Sequence, residues 1–263
     1  MSVSPKAASS PWTFFALVFA LSIPFWLAGA LTGLQLVPGL PLAALMFVCP
    51  VLAAAVLAYR GNGTSGVAAL LKRSFDLGRG KRAGWFALAA ILMPGVMAAS
   101  FVTMRAMGVL VPTPQFSVVT TFALFAVLFL AALGEELGWM GYAIDPLQQR
   151  WGVLGGSVLL GAVWAAWHFI PLIQAHRAPD WIAWWCLYSL AARVLIVWLY
   201  NKTGGSVFVA ALFHTMANVA WLLFPVRGSY FDPRITGLIL AAVAAIAVTV
   251  WPSQPRPRAA SAQ

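Results

Sequence analysis

The stretch FALFAVLFLAALGEELGWMGYAID, residues 122–145, opens on an apolar run without one polar side chain and then holds the chain's only two glutamates, Glu135 and Glu136. A surface helix of a soluble protein would show a polar face along such a run. The whole chain behaves the same way: of 263 residues, 62% are hydrophobic and 8% charged, and the mean hydropathy is +0.88. Soluble domains carry about 25% charged residues. The chain is therefore read as an integral membrane protein, and the question becomes why two carboxylates sit beside each other in one of its spans.

A membrane helix needs roughly 20 mostly apolar residues. The segments that qualify are 12–34, 40–59, 84–104, 117–142, 152–172, 181–200, 206–224 and 235–251. The expected fold is all-α and polytopic, with about eight transmembrane helices. The first segment is a retained span, because its apolar run exceeds the short core of a signal peptide. Net charge is +10, and basic residues between spans favour the cytoplasmic side. Segment 60–83 holds Arg60, Lys72, Arg73, Arg79, Lys81 and Arg82. Placing it inside also puts Lys6, Arg150, Lys202, Arg256 and Arg258 inside, with Arg105, Arg177, Arg227 and Arg234 outside. Both termini are then cytoplasmic. No basic stripe interleaved with aromatics appears, so a nucleic-acid partner is excluded; the basic residues meet anionic lipid. Cys49 and Cys186 lie in apolar runs and suggest neither a disulfide framework nor a CxxC metal site.

The organisation reads as an N-terminal tail, 1–11, then three spans over 12–110 that include the basic cytoplasmic loop 60–83. A four-helix core, 115–225, a last helix, 226–251, and a disordered Pro- and Ser-rich tail, 252–263, follow. Within the basic loop, GVAALLKRSF reads either as an amphipathic piece on the inner membrane surface or as solvated loop.

Ionisable groups inside a bilayer are costly and by default mark function. Besides the glutamates, the spans hold His168, Arg193 and His214, and Asn218 shares a helix face with His214. Taking 117–142 and 152–172 as a hairpin turning near Trp151 and Gly152, with Pro146 as a local kink, puts Glu135 and His168 at matching heights, about 24–26 Å from the turn. A second hairpin turning at Gly204 and Gly205 puts Arg193 and His214 roughly 14–17 Å from theirs. The heights agree if the IDPLQQRW turn projects into the cytoplasm. Rotation about each helix axis stays open. The neighbours Trp164, Trp167, Trp181, Trp184 and Trp185 read as packing and interface anchors.

At these residues the sequence resembles the CPBP intramembrane proteases, or Abi proteins, which include the type II CAAX prenyl endopeptidases. The three blocks are EELGWMG, WAAWHFIP and FHTMAN, matching Glu135 and Glu136, Trp164 and His168, and His214 and Asn218. The resemblance covers roughly 115–225. It implies peptide-bond hydrolysis within the membrane in a site opened to the cytoplasmic side. Glu135 with His168 would activate a water, and His214 and Asn218 would donate to the oxyanion. Glu136 would orient a neighbour. No cofactor is implied by that route. The alternative is zinc on Glu135, His168 and His214, though the chain has no HExxH. Met140 stands where the family usually carries Arg, and Arg193 is the candidate charge partner for Glu136 or Glu135 in its place, against a reading in which it snorkels to the inner surface.

The expected function is thus an intramembrane endopeptidase of a multi-pass membrane protein, cleaving a membrane-associated protein or peptide; prenylated CAAX proteins are the family's best-known targets. The alternatives are a non-catalytic relative acting in bacteriocin immunity or as a membrane partner, and an ion-coupled transporter. The last is disfavoured by the lack of paired interrupted helices. The orientation is checked by thiol labelling: a cysteine at Ser2 or Ser261 should resist an impermeant reagent applied from outside, and modification there would invert the topology.

Overall fold

The computed structural model describes residues 10–37, 39–77, 83–226 and 228–254. The described residues form α1 (Pro11–Thr32), α2 (Cys49–Lys72), α3 (Ala83–Ala106), α4 (Val118–Gly138), α5 (Ile144–Trp167), α6 (Phe169–Gln174), α7 (Pro179–Lys202), α8 (Val207–Leu223) and α9 (Pro233–Val250). A small antiparallel hairpin, Gln35–Val37 with Leu40–Pro41, and a 3-10 turn, Leu42–Val48, join α1 to α2. Lys6, Arg79, Lys81, Arg82, Arg227, Arg256, Arg258 and most of the tail 252–263 lie outside the described residues.

Among the described residues, six helical stretches are long and apolar enough to cross a membrane. One of them, Val118–Gln174, runs for 57 residues and cannot be straight. The Trp164 indole lies 3.0 Å from the Glu135 carboxylate although 29 residues separate them, a gap that a straight helix would stretch to about 43 Å. The reversal is at Gly152, whose φ of 71° and ψ of 176° suit glycine alone. Counting the two arms separately and adding the shorter apolar helix Val207–Leu223 gives eight passes. The chain is a polytopic all-α membrane protein.

Three details depart from the expected spans. The segment 60–83 is largely helix rather than loop: α2 continues to Lys72 across a kink at Asn62 and Gly63. GVAALLKRSF accordingly packs on the protein, with Leu70 and Ser74 buried. Span 152–172 ends at Trp167, and α6 restarts after His168. At Pro146, the expected local kink, a π-turn, Trp139–Ala143, immediately precedes the proline's helix. Proline's ring clashes with the carbonyl four residues back, here Tyr142, and widening that turn removes the clash.

α4 is central, packed between α2 and α8, while α7 packs on α5 and α9. At the basic end of the bundle, polar groups lock the helices. The Arg73 guanidinium donates to the carbonyls of Gly141 and Gly205 and to the Tyr200 hydroxyl, at 2.6–3.2 Å. Tyr200 in turn donates to Asp145. Asp76 and Ser206 cap α8, accepting from Phe208 and Val209 backbone N–H groups, a favourable place for an acidic group. Burial nevertheless pushes the Asp76 carboxyl above the usual carboxylate range.

α2 meets α4 at Gly138, where an added Cβ would fall 2.6 Å from the Pro50 carbonyl oxygen, whereas at Gly134 the nearest atom would be a Val51 methyl at 3.7 Å. Small residues permit such close helix approach in membranes. Gly138→Ala should therefore cost about 1–3 kcal/mol, as overpacking does, and Gly134→Ala should be tolerated; thermal unfolding in detergent compares the two.

Candidate active site

Glu135 and Glu136 close α4, one π-turn before the chain heads for its reversal at Gly152. Their neighbouring positions on the helix send the two side chains to different partners. Glu136 is fully buried and accepts two hydrogen bonds from Arg193 Nη1, at 2.9 and 2.8 Å. His214 Nδ1 lies 2.8 Å from its Oε1. Arg193 is also fully buried, and its guanidinium stacks 4.4 Å over the Trp164 ring, a cation–π arrangement. The structure thus places Arg193 against Glu136 rather than against lipid headgroups. Met140, where the family usually has Arg, is buried in the core, so the cation beside Glu136 comes from α7 instead. Gly161 on α5 lets α7 come this close, because an added Cβ there would meet the Arg193 Cβ at 3.2 Å.

Glu135 takes the other direction. Its Oε2 accepts from Trp164 Nε1 at 3.0 Å, and it lines a cavity of about 630 Å³. His168, His214 and Asn218 line the same cavity. Trp164 also holds His168, whose Nδ1 is 2.8 Å from the Trp164 carbonyl oxygen. A carbonyl cannot donate, so Nδ1 carries a proton, and in the neutral ring Nε2 of His168 holds the lone pair. The same reasoning fixes His214: its Nδ1–H faces the Glu136 carboxylate, so Nε2 donates only when the ring is an imidazolium. Among the described residues none hydrogen-bonds the Asn218 side chain, which lies one turn beyond His214 on α8.

Trp164 joins the carboxylate and the imidazole, a role that reading it as packing or an interface anchor missed. The signal was its position four residues before His168, which puts both on one face of α5. Trp185 likewise packs at 5.2 Å from the His168 ring instead of anchoring at the interface, while Trp184 remains partly exposed. The rest of the cavity wall is mostly apolar, with Tyr188, Phe213 and Trp221 among it.

Metal chemistry was the alternative expectation. Among the described residues no three His, Cys, Asp or Glu side chains are grouped to hold a metal ion. Both histidines commit Nδ1 to a protein acceptor. Metal-ligating histidines also hold one ring nitrogen on a carbonyl or carboxylate in this way, so zinc on Glu135, His168 and His214 remains the alternative to an activated water.

Removing one partner of a buried ion pair typically costs about 3–5 kcal/mol, because the other charge is left uncompensated. Arg193→Met should destabilise the protein on that scale, and adding Glu136→Gln should recover a substantial part of the loss. A double-mutant cycle on unfolding measures the coupling; simple additivity would show that the pair does not act as a unit.

Residues 117–220, which include every member of the three motif blocks, match the family described as Type II CAAX prenyl endopeptidase Rce1-like. The CAAX prenyl protease 2 of Methanococcus maripaludis is 32% identical over 172 residues, 59% of this chain and 62% of that protein. The chain thus spans less than two thirds of that relative's length. The resemblance drawn from Glu135, Glu136, His168, His214 and Asn218 is matched by these comparisons: residues 117–220 of this multi-pass membrane protein are similar to the Rce1-like, type II CAAX prenyl endopeptidases.

Proposed function

We propose that this protein is an intramembrane endopeptidase that hydrolyses a peptide bond of a membrane-associated protein or peptide through a water activated by Glu135 and His168. The observation that carries this is the Trp164 bridge: one residue positions the carboxylate through its indole and the imidazole through its carbonyl, both on a single apolar cavity. The relative that is named a CAAX prenyl protease supports a protease of the same kind here.

In this reading a water sits between the Glu135 carboxylate and His168 Nε2. Glu135 takes its proton as the oxygen attacks the scissile carbonyl carbon, the task of a general base. Negative charge moves to the carbonyl oxygen. Asn218 Nδ2 and the Nε2–H of imidazolium His214 donate to it, as preorganised donors do in acyl transfer. The proton then passes to the amide nitrogen, the C–N bond breaks, and a carboxylate and an amine leave. Glu136 does not react. Paired with Arg193, it stays a carboxylate that holds His214 in its orientation. The mostly apolar walls of the cavity give these groups a low-dielectric setting, which strengthens each of these interactions.

Positioned acid–base groups contribute typically ~10²–10⁴-fold. Glu135→Gln keeps the side-chain shape and an acceptor for Trp164 but removes the base, so cleavage should fall by at least about 100-fold while unfolding and substrate binding change little. Retained cleavage in Glu135→Gln would remove the carboxylate from the mechanism. Unchanged binding with no cleavage in the unaltered protein either would favour a non-catalytic partner protein.

A further inference from the structure

Three helices meet at Glu136: α4, which carries it, α7, which brings Arg193, and α8, which brings His214. The same three are tied a second time, by the short segment that follows α2. Arg73 Nη1 donates to the Gly141 carbonyl at 2.6 Å, inside the π-turn that continues α4. Its Nη2 donates to the Tyr200 hydroxyl on α7, at 2.6 Å, and to the Gly205 carbonyl in the turn before α8, at 3.2 Å. Three residues on, Asp76 accepts from the Ser206 hydroxyl at 3.0 Å and from the Phe208 N–H at 3.3 Å, at the start of α8. Tyr200 extends the tie to Asp145, just past the π-turn.

The two ties are well separated. Gly141 lies five residues past Glu136, Tyr200 seven past Arg193, and Ser206 eight before His214. At 1.5 Å per residue these steps are about 8–12 Å along each helix axis. One contact leaves a helix free to roll about it; two contacts fix the roll. On α4 the roll has a chemical consequence. Glu135 and Glu136 stand about 100° apart round the axis, so turning the helix takes one off the cavity and the other off Arg193. The π-turn follows them directly, and such turns occur frequently at functional sites. Gly141 is also sterically committed: an added Cβ would meet Leu70 Cδ1 at 3.2 Å and the Glu136 carbonyl oxygen at 3.7 Å.

We propose that Arg73 is a positioning residue for the hydrolytic site: through the π-turn it fixes the roll of α4 and so the direction in which Glu135 faces. Its kinetic consequence rests on the protease reading of the cavity; its geometric consequence does not. Neither Arg73 nor any of its three acceptors lines the cavity, so Arg73 acts through Glu135 and Glu136 and not by touching a substrate. The planar fork is what serves acceptors on three elements at once.

The test compares Arg73→Ala, which removes the clamp, with Arg73→Lys and Tyr200→Phe, which thin it. The control is Ser100→Ala, which breaks the buried 2.9 Å Ser100–Thr236 hydrogen bond between α3 and α9, away from the cavity. Full-length variants in lipid nanodiscs are read by unfolding temperature and by kcat and KM on a quenched fluorescent peptide carrying an alkyl anchor. A third readout is the rate at which a maleimide modifies Ala131→Cys, with Cys49 and Cys186 replaced by alanine. Ala131 lines the cavity one turn before Glu135. Because a misplacement of about 1 Å can cost ~100-fold, Arg73→Ala should lower kcat by about 10–100-fold with KM nearly unchanged. Arg73→Lys should recover part of that loss. Should Arg73→Ala fail to accumulate, Tyr200→Phe carries the comparison, with a smaller fall. Ser100→Ala should lower the unfolding temperature and keep kcat. A kcat loss that merely tracks unfolding temperature across both sets of variants overturns the proposal. The Ala131→Cys labelling rate should shift several-fold in Arg73→Ala and not in Ser100→Ala. If the unaltered protein cleaves nothing, the protease reading fails by itself, and labelling decides the clamp: an unchanged rate overturns it.

Discussion

A buried guanidinium–carboxylate pair organises this molecule. Arg193 on α7 and Glu136 on α4 meet with neither side chain exposed, and in a bilayer neither charge could be left alone without a cost of kcal/mol size. Satisfying them forces α4 and α7 together. The second oxygen of Glu136 then draws in His214 from α8, and the face of the guanidinium takes Trp164 from α5. Four helices are thus placed by one charge pair. Because Trp164 is placed, so are Glu135 and His168, which it holds from two directions. The adjacent glutamates that open the sequence problem separate into two roles on this basis: Glu136 faces the pair and builds the site, and Glu135 faces the cavity and meets whatever enters it.

Much of this was legible in the chain. The apolar runs located most of the helices within a few residues, α2 and α5 excepted, since only helices and closed barrels can cross a bilayer with their backbone satisfied. The ionisable residues inside them, Glu135, Glu136, His168, Arg193 and His214, with the amide of Asn218, pointed to the site because hydrocarbon makes each one conspicuous. Taking the turn near Gly152 gave matching heights for Glu135 and His168, and Trp164, one turn before His168, is bonded to Glu135. Other features were not legible for stated reasons. The GNGTSG stretch after Arg60 does break the helix, at Asn62 and Gly63, but the chain resumes helix to Lys72 instead of staying a loop, with Leu70 against Gly141 and Arg73 reaching three acceptors. Rotation about a helix axis cannot be read from heights, so Trp164 looked like packing.

The position of Met140 shows how such a site tolerates change in sequence. What the buried Glu136 requires is a cation within hydrogen-bond reach, not a cation at a fixed place in the chain. Arg193 supplies it from another helix, with Nη1 shared between both carboxylate oxygens and the guanidinium plane stacked on the Trp164 indole, and that stacking is what lysine's compact ammonium would lose. The small residue at Gly161 is the steric condition for that approach.

The central claim is that Glu135 and His168 share one water, and an experimental structure of the protein in lipid, at a resolution that shows ordered solvent, tests it most directly. The account requires a water within about 3.2 Å of both the Glu135 carboxylate and His168 Nε2, with His214 Nε2 and Asn218 turned toward the same point. A metal ion at that point, or Glu135 and His168 facing apart with no solvent between them, would contradict it.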